Sequence, residues 1–127
     1  MTGTDAKSGT ANWIRQVALP KLYNQKFSQK SLLLKSGGQY KFGTVSEDES
    51  IVAVISADPG KTPDGKQATD SLQKIRTEIF WAMSIEHNPK LILVLTEQSM
   101  IHLIKEEKKK DRFPKEIEAV RVKLPEE

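Results

Sequence analysis

The chain has 127 residues, which suffice for one domain with a substantial core. Its content of 37% hydrophobic and 29% charged residues, with a net charge of +3, is typical of a soluble globular protein. The absence of cysteine excludes disulfides, a thiolate nucleophile and zinc–thiolate sites. The apolar runs Ile51–Ile55 and Leu91–Leu95 fall far short of the roughly 20 residues that cross a bilayer. We therefore expect a cytoplasmic protein without a membrane partner.

The N-terminal part predicts a polar tail followed by a helix. Residues 1–10 lack the apolar segment of a secretory signal and predict a disordered tail, so that residues 11–127 form a single α/β domain. Pro20 predicts a kink or a junction of two short helices. Apolar residues at helical spacing predict the helix face, and they are Trp13, Ile14, Val17, Leu19, Leu22, Tyr23 and Phe27.

Three strands in meander order come next. Leu32–Leu34 is a short strand, Gln39–Val45 alternates between apolar and polar residues, and residues 37–38 and 47–49 form turns. Ile51–Ser56 is β-branched and almost entirely apolar, which predicts a strand buried on both faces.

The second half alternates helices and strands. A helix is predicted from Asp70 to His87, then a strand over 90–96, a helix opening at Thr96 or Ser99, and an edge strand over 117–125. The residues that should face the core from the first of these helices are Leu72, Ile75, Ile79, Phe80 and Met83, and the charged residues 105–112 should form the solvated end of the second. The order α-β-β-β-α-β-α-β predicts a mixed sheet with helices on both faces.

The segment Ser56–Lys66 contains Gly-Lys-Thr but does not fit a nucleotide-binding P-loop. Such a loop needs a glycine five residues before Gly60, where this chain has Ile55, and it leads directly into a helix, which Pro63 and Gly65 prevent. What remains is a loop after a central strand that carries Asp58, Lys61 and Lys66, either as functional groups or as part of a solubilising connection.

The element order, from about Trp13 to Leu124, resembles the core of the PD-(D/E)XK nuclease superfamily, the restriction-endonuclease-like fold. The resemblance implies an Asp on the second strand and an acid-x-Lys triplet on the third, with the acids holding Mg²⁺ and the lysine positioning or activating water. Those positions fall on Gly43 and on Val54 and Ser56, or on Ser56 and Asp58 in the alternative register. The sequence therefore departs from the pattern of the family at all three points.

Two substitutes for the missing residues are possible within the resemblance. Asp58 would be the surviving acid and the Mg²⁺ ligand, with Lys61 or Lys66 replacing the strand lysine. Alternatively, the helix that follows would supply polar groups through Gln73, Lys74 or Glu78.

Charge is segregated along the chain and supports a nucleic-acid partner. Residues 1–46 contain seven basic residues and one acid, a net charge of +6, whereas residues 47–127 have a net charge of −3. The lysines expected to contact phosphates are Lys21, Lys26, Lys30, Lys35 and Lys41.

Three functional hypotheses follow. The first is a small nuclease-fold protein that binds DNA or RNA with its metal triad eroded or relocated. The second is a non-catalytic interaction module, such as a homodimer, that uses a sheet edge or the aromatic residues of the first helix. The third is an active Mg²⁺-dependent nuclease with a rearranged site.

Overall fold

The computed structural model describes residues 9–123, which form one five-stranded mixed sheet with helices. The strand order is β1-β2-β3-β4-β5, with the first two neighbouring pairs antiparallel and the last two parallel. The strands are β1 (Phe27–Leu33), β2 (Gln39–Ser46), β3 (Ile51–Ser56), β4 (Lys90–Leu95) and β5 (Glu118–Arg121). The predicted α/β class and single mixed sheet are confirmed, as is the position of β5 at an edge.

The N-terminal helical segment comprises residues 9–13, a π-helical turn at Ile14–Ala18 and α1 (Leu19–Tyr23). Pro20 lies in the first turn of α1, and in the π-helical turn the backbone N–H of Leu19 donates to the carbonyl of Ile14, five residues earlier. A proline ring clashes with the carbonyl four residues before it, and a locally wider turn relieves that clash. The expected irregularity at Pro20 is therefore a π-helical turn.

The other two helices are α2 (Thr69–Met83) and α3 (Gln98–Lys109), and they cover the opposite face of the sheet from the N-terminal helical segment. In β3, Ala53 packs with Ile14 of that segment, whereas Val54 packs with Leu72 of α2 and Met100 of α3. Because neighbouring residues of a strand point to opposite faces, both faces of β3 are buried, as its apolar sequence predicts.

Phe27 lies in β1, not in the helix to which its spacing assigned it. A β-bulge between Ser28 and Lys30 shifts the register of β1 against β2. Phe27 packs on the face of the N-terminal helical segment, and Leu32 packs on the α2 face. Side chains alternate along a strand, so these two residues, five apart in β1, face opposite sides of the sheet.

Two residues expected in the core of α2 are exposed instead. Phe80 is 63% exposed and Met83 is 42% exposed. Each helical residue is rotated by about 100° from the one before it, and this rotation carries Phe80 away from the side that Leu72, Ile75, Ile79 and Ala82 bury. The helix also ends at Met83, before the predicted His87.

The start and end of α3 differ from the prediction. The residue that precedes it is Glu97, and neither Thr96 nor Ser99 opens the helix. Within the segment expected to be fully solvated, Glu107 is only 3% exposed, because it is enclosed by two arginines.

The predicted tail over 1–10 lies mostly outside the described residues, and the two positions that are described, 9 and 10, are helical. The predicted end of the last strand beyond residue 123 also lies outside them. Within 9–123, no helix combines the length and apolar character that a membrane span requires.

Candidate functional site

A cleft opens between the two central strands. In the described part of the chain, β2 and β3 pair at Val45 and Val52, next to their connecting turn. Farther from the turn, residues of both strands line a cavity of about 370 Å³, which continues into a second one of about 180 Å³ beside the loop that follows β3. The two cavities share Ala11, Val54, Ile55, Lys74 and Glu78, so they form one cleft.

Charged side chains from several elements line this cleft. Arg15 comes from the N-terminal helical segment, Lys41 from β2, Lys74 and Glu78 from α2, and Asp58 from the loop after β3. The lining therefore carries three cations and two carboxylates. The cations come from three elements that are distant in sequence, so the fold itself brings them together.

The local sequence explains how these groups reach the cleft. Lys41 and Gly43 alternate with the buried Phe42 and Thr44, so these two positions point away from the core that Phe42 joins on the α2 face. In α2, Lys74 and Glu78 are four residues apart and flank the buried stripe.

Two hydrogen bonds hold the walls of the cleft in place. A guanidinium nitrogen of Arg15 donates to the carbonyl oxygen of Gly43 at 2.9 Å, which ties the N-terminal helical segment to β2. The hydroxyl of Ser71 donates to Oδ2 of Asp58 at 3.1 Å, which ties the loop after β3 to the first turn of α2. Arg15 and Asp58 are thus held by contacts between elements.

The three positions at which the resemblance places nuclease residues all line the cleft. Gly43 and Val54 line the larger cavity, and Ser56 lines the smaller one. None of the three side chains is an acid or a lysine. The cleft coincides with the site that the resemblance implies, while the chemistry of those positions differs.

The residues at the three nuclease positions do not fit a magnesium centre of that type, because none of them is an acid. Mg²⁺ takes an octahedral set of oxygens and is held through clustered carboxylates. Asp58 and Glu78 are the two carboxylates of the cleft, and residues 9–123 contain no group of three or more His, Cys, Asp or Glu that could hold a metal ion. The assignment of Asp58 as a Mg²⁺ ligand stays a prediction.

The other residues predicted for the loop site lie elsewhere. Lys61 lines a separate cavity of about 210 Å³ against α3, Lys66 lies 3.9 Å from the carboxylate of Asp64, and Gln73 is exposed on α2. Of the helix residues considered beside Gln73, Lys74 and Glu78 do line the cleft. Arg15 was not singled out from the sequence, because nothing in its local pattern reveals a contact with β2.

The loop itself is a small folded hairpin and not an anion cradle. Lys61 and Gln67 form an isolated antiparallel β-bridge, and the amide of Thr62 donates to the carbonyl of Lys66 at 2.8 Å. The amide of Gly60 donates to the hydroxyl of Ser99 at 2.9 Å. The loop uses these amides internally and against α3, which agrees with the rejection of a P-loop.

The five predicted phosphate-contacting lysines do not all face the cleft. Lys41 lines it, and Lys21 and Lys26 are exposed without being among its lining residues. Lys30 is half-buried, and its Nζ donates to the carbonyl of Glu47 at 2.7 Å. Lys35 donates to the carbonyl of Met83 at 3.4 Å, at the end of α2.

Comparisons with known proteins give no relative from which a function could be transferred. No protein-family model, no curated protein and no solved structure matches this chain. The functional argument therefore depends on the cleft and its charges.

Proposed function

We propose that the chain is a nuclease-fold protein that binds DNA or RNA in the cleft between β2 and β3 without the metal triad of that fold. The observation that carries the proposal is the convergence of Arg15, Lys41 and Lys74 in one cleft. This cleft lies where the resemblance places the scissile phosphate, and the acids of the family are replaced there by Gly43 and Val54.

The physical basis is electrostatic. Lysine and arginine side chains that neutralise phosphates release condensed counterions, so affinity falls steeply as the salt concentration rises. Cations from three elements can follow a phosphate backbone across the cleft, and phosphate contacts of this kind set position without reading sequence. We therefore expect binding with little sequence preference.

Binding to labelled DNA and RNA by fluorescence anisotropy, over a range of salt concentrations, tests the proposal. The variants Lys41→Ala and Lys74→Ala should weaken binding for all sequences and should each reduce the salt slope by about one unit. Lys21→Ala is the matched control, because Lys21 is exposed on α1 and is not among the residues lining the cleft. Absence of binding at low ionic strength, or a flat salt response, would overturn the proposal.

One observation favours the alternative of an active nuclease: Asp58 and Glu78 line the same small cavity. Two carboxylates flanked by cations could in principle replace the missing acids. Neither carboxylate lies at a position where the resemblance places an acid, and we rank this hypothesis second.

A further inference from the structure

An aromatic surface continues the wall of the cleft along α2. Trp81 follows Lys74 by seven residues and Glu78 by three, a spacing that places all three on one flank of the helix. The ring of Tyr40 stacks on Trp81 with centroids 4.8 Å apart and planes inclined by 9°. Tyr40 faces α2 from β2, the strand whose Lys41 lines the cleft, so the stacked pair shares both β2 and α2 with the walls of the cleft.

Phe80 extends this pair into solvent. Its ring meets Trp81 edge to face, with centroids 5.6 Å apart, and within residues 9–123 it is the most exposed large apolar residue. Tyr40 and Trp81 are half-buried and pack against the core between the sheet and the end of α2. We call Tyr40, Phe80 and Trp81 the aromatic surface. Its stacked pair is held rigidly by packing, while Phe80 leaves a ring accessible.

Basic residues lie at both ends of the aromatic surface. At one end, Lys74 lines the cleft on the same flank of α2, about two helical turns before Trp81. At the other end, the backbone amide of Lys35 donates to the carbonyl of Ser84 at 2.8 Å and its Nζ donates to Met83, both just beyond Trp81 on α2. A nucleic-acid strand leaving the cleft along α2 would thus meet aromatic rings first and another cation next.

We propose that the aromatic surface stacks an unpaired base, so that the nucleic acid bound by this protein is single-stranded beside the cleft. This inference rests on the proposed nucleic-acid binding. In a duplex both faces of each base are covered by its neighbours, whereas the splayed bases of a single strand stack on aromatic side chains while their phosphates follow a basic groove. Stacking does not distinguish DNA from RNA, so either single strand is a candidate.

The test compares short labelled single-stranded DNA, single-stranded RNA and a DNA duplex at one low salt concentration. The wild type should prefer single strands, and Phe80→Ala should weaken single-strand binding by about five- to a hundredfold while leaving duplex affinity unchanged. Leu22→Ala is the matched control, because Leu22 is also a large apolar residue, 59% exposed, but lies on α1. It should change neither affinity.

A second readout reports directly on stacking. Trp81 and Trp13 are the two tryptophans of the chain, so the fluorescence of a Trp13→Phe variant reports on Trp81. Single strands should quench this fluorescence, and duplex should not.

The outcomes separate the two proposals. Equal affinity for single strands and duplex, with Phe80→Ala changing both alike or neither, would overturn the stacking inference and leave binding in the cleft intact. Unquenched Trp81 fluorescence with bound single strand would also overturn it. Failure of every nucleic acid to bind at low salt would overturn the proposed function and this inference together.

Discussion

Glu107 lies between two arginines and is almost fully buried, although all eight residues of 105–112 are charged. One of its carboxylate oxygens lies 2.5 Å from the guanidinium of Arg76 on α2, and the other lies 2.6 Å from that of Arg112, after α3. The hydrogen bond from Arg112, followed by that from Arg76, keeps the pKa of Glu107 below its ordinary value of 4.5 despite burial. This ion cluster joins the two helices that cover one face of the sheet.

We predict that Glu107→Gln lowers the free energy of unfolding at neutral pH by about 1–3 kcal/mol, because charge-assisted hydrogen bonds are lost. A carboxyl whose pKa is lowered in the folded state stabilises fully above its unfolded pKa, and the contribution is lost as pH falls through the folded value. Urea unfolding should therefore show the difference between wild type and variant shrinking as the pH falls below about 4.5. Glu106→Gln is the control, since Glu106 pairs with the exposed Lys109 at 3.6 Å, and it should show little change. A pH-independent difference would contradict the role given to the Glu107 charge.

Gly60 has a packing role that its Gly-Lys-Thr context conceals. A Cβ atom at this position would collide with the backbone carbonyl of Ser99 in the first turn of α3. We predict that Gly60→Ala lowers the free energy of unfolding by about 1–3 kcal/mol, because the neighbouring backbone cannot give way easily. Gly38→Ala is the control, as a Cβ there would meet no atom within 4 Å. Equal stability of the two variants in urea would contradict this close approach.

At the scale of elements, side-chain hydrogen bonds stabilise the turn between β2 and β3. The two strands diverge beyond it. The carboxylate of Asp48 accepts hydrogen bonds from the hydroxyls of Ser46 and Ser50 and from the amide of Ser50, which lowers its pKa to about 2. Ser46 is fully buried and accepts a hydrogen bond from the amide of Ile51 at 2.9 Å. This acidic turn lies at the closed end of the hairpin, and none of its residues lines the cleft.

We predict that Ser46→Ala lowers the free energy of unfolding by about 1–3 kcal/mol, since it deprives the buried amide of Ile51 of its acceptor. Ser31→Ala, at an exposed position of β1, should change stability by less than about 0.5 kcal/mol. Chemical denaturation of both variants measures the difference. A Ser46 variant as stable as the Ser31 variant would mean that the turn does not depend on this hydroxyl.

The elements themselves were largely predictable because their signals are local. The apolar run of β3, the alternation of β2 and the glycine and proline breaks each depend on a few neighbouring residues. The pairing that places Phe27 in β1 and the rotation that exposes Phe80 depend on strand register and helix angle, which a short apolar pattern does not specify. The cleft was less predictable still, since Arg15, Lys41 and Lys74 meet only through tertiary structure.

At the scale of the whole molecule, the proposed loss of the metal triad predicts binding without cleavage. Plasmid incubated with the protein and Mg²⁺ or Mn²⁺ should be retarded in a gel but remain intact, because Gly43 and Val54 offer no carboxylate to a metal. Asp58→Ala is the informative variant, since Asp58 is the acid nearest the expected centre in sequence. Cleavage by the wild type that disappears in this variant would replace our proposal by the active-nuclease alternative.

The divergence of β2 from β3 has a consequence for slow backbone dynamics. In the part of the chain described, β2 and β3 pair only at the closed end of their hairpin. The antiparallel pair β1–β2 is therefore connected to the parallel strands β3, β4 and β5 by few backbone hydrogen bonds. Amides of β2 and β3 that border the opening should exchange with deuterium sooner than those between β3 and β4. A nucleic-acid strand bound across the cleft, in contact with both β2 and α2, should slow this exchange.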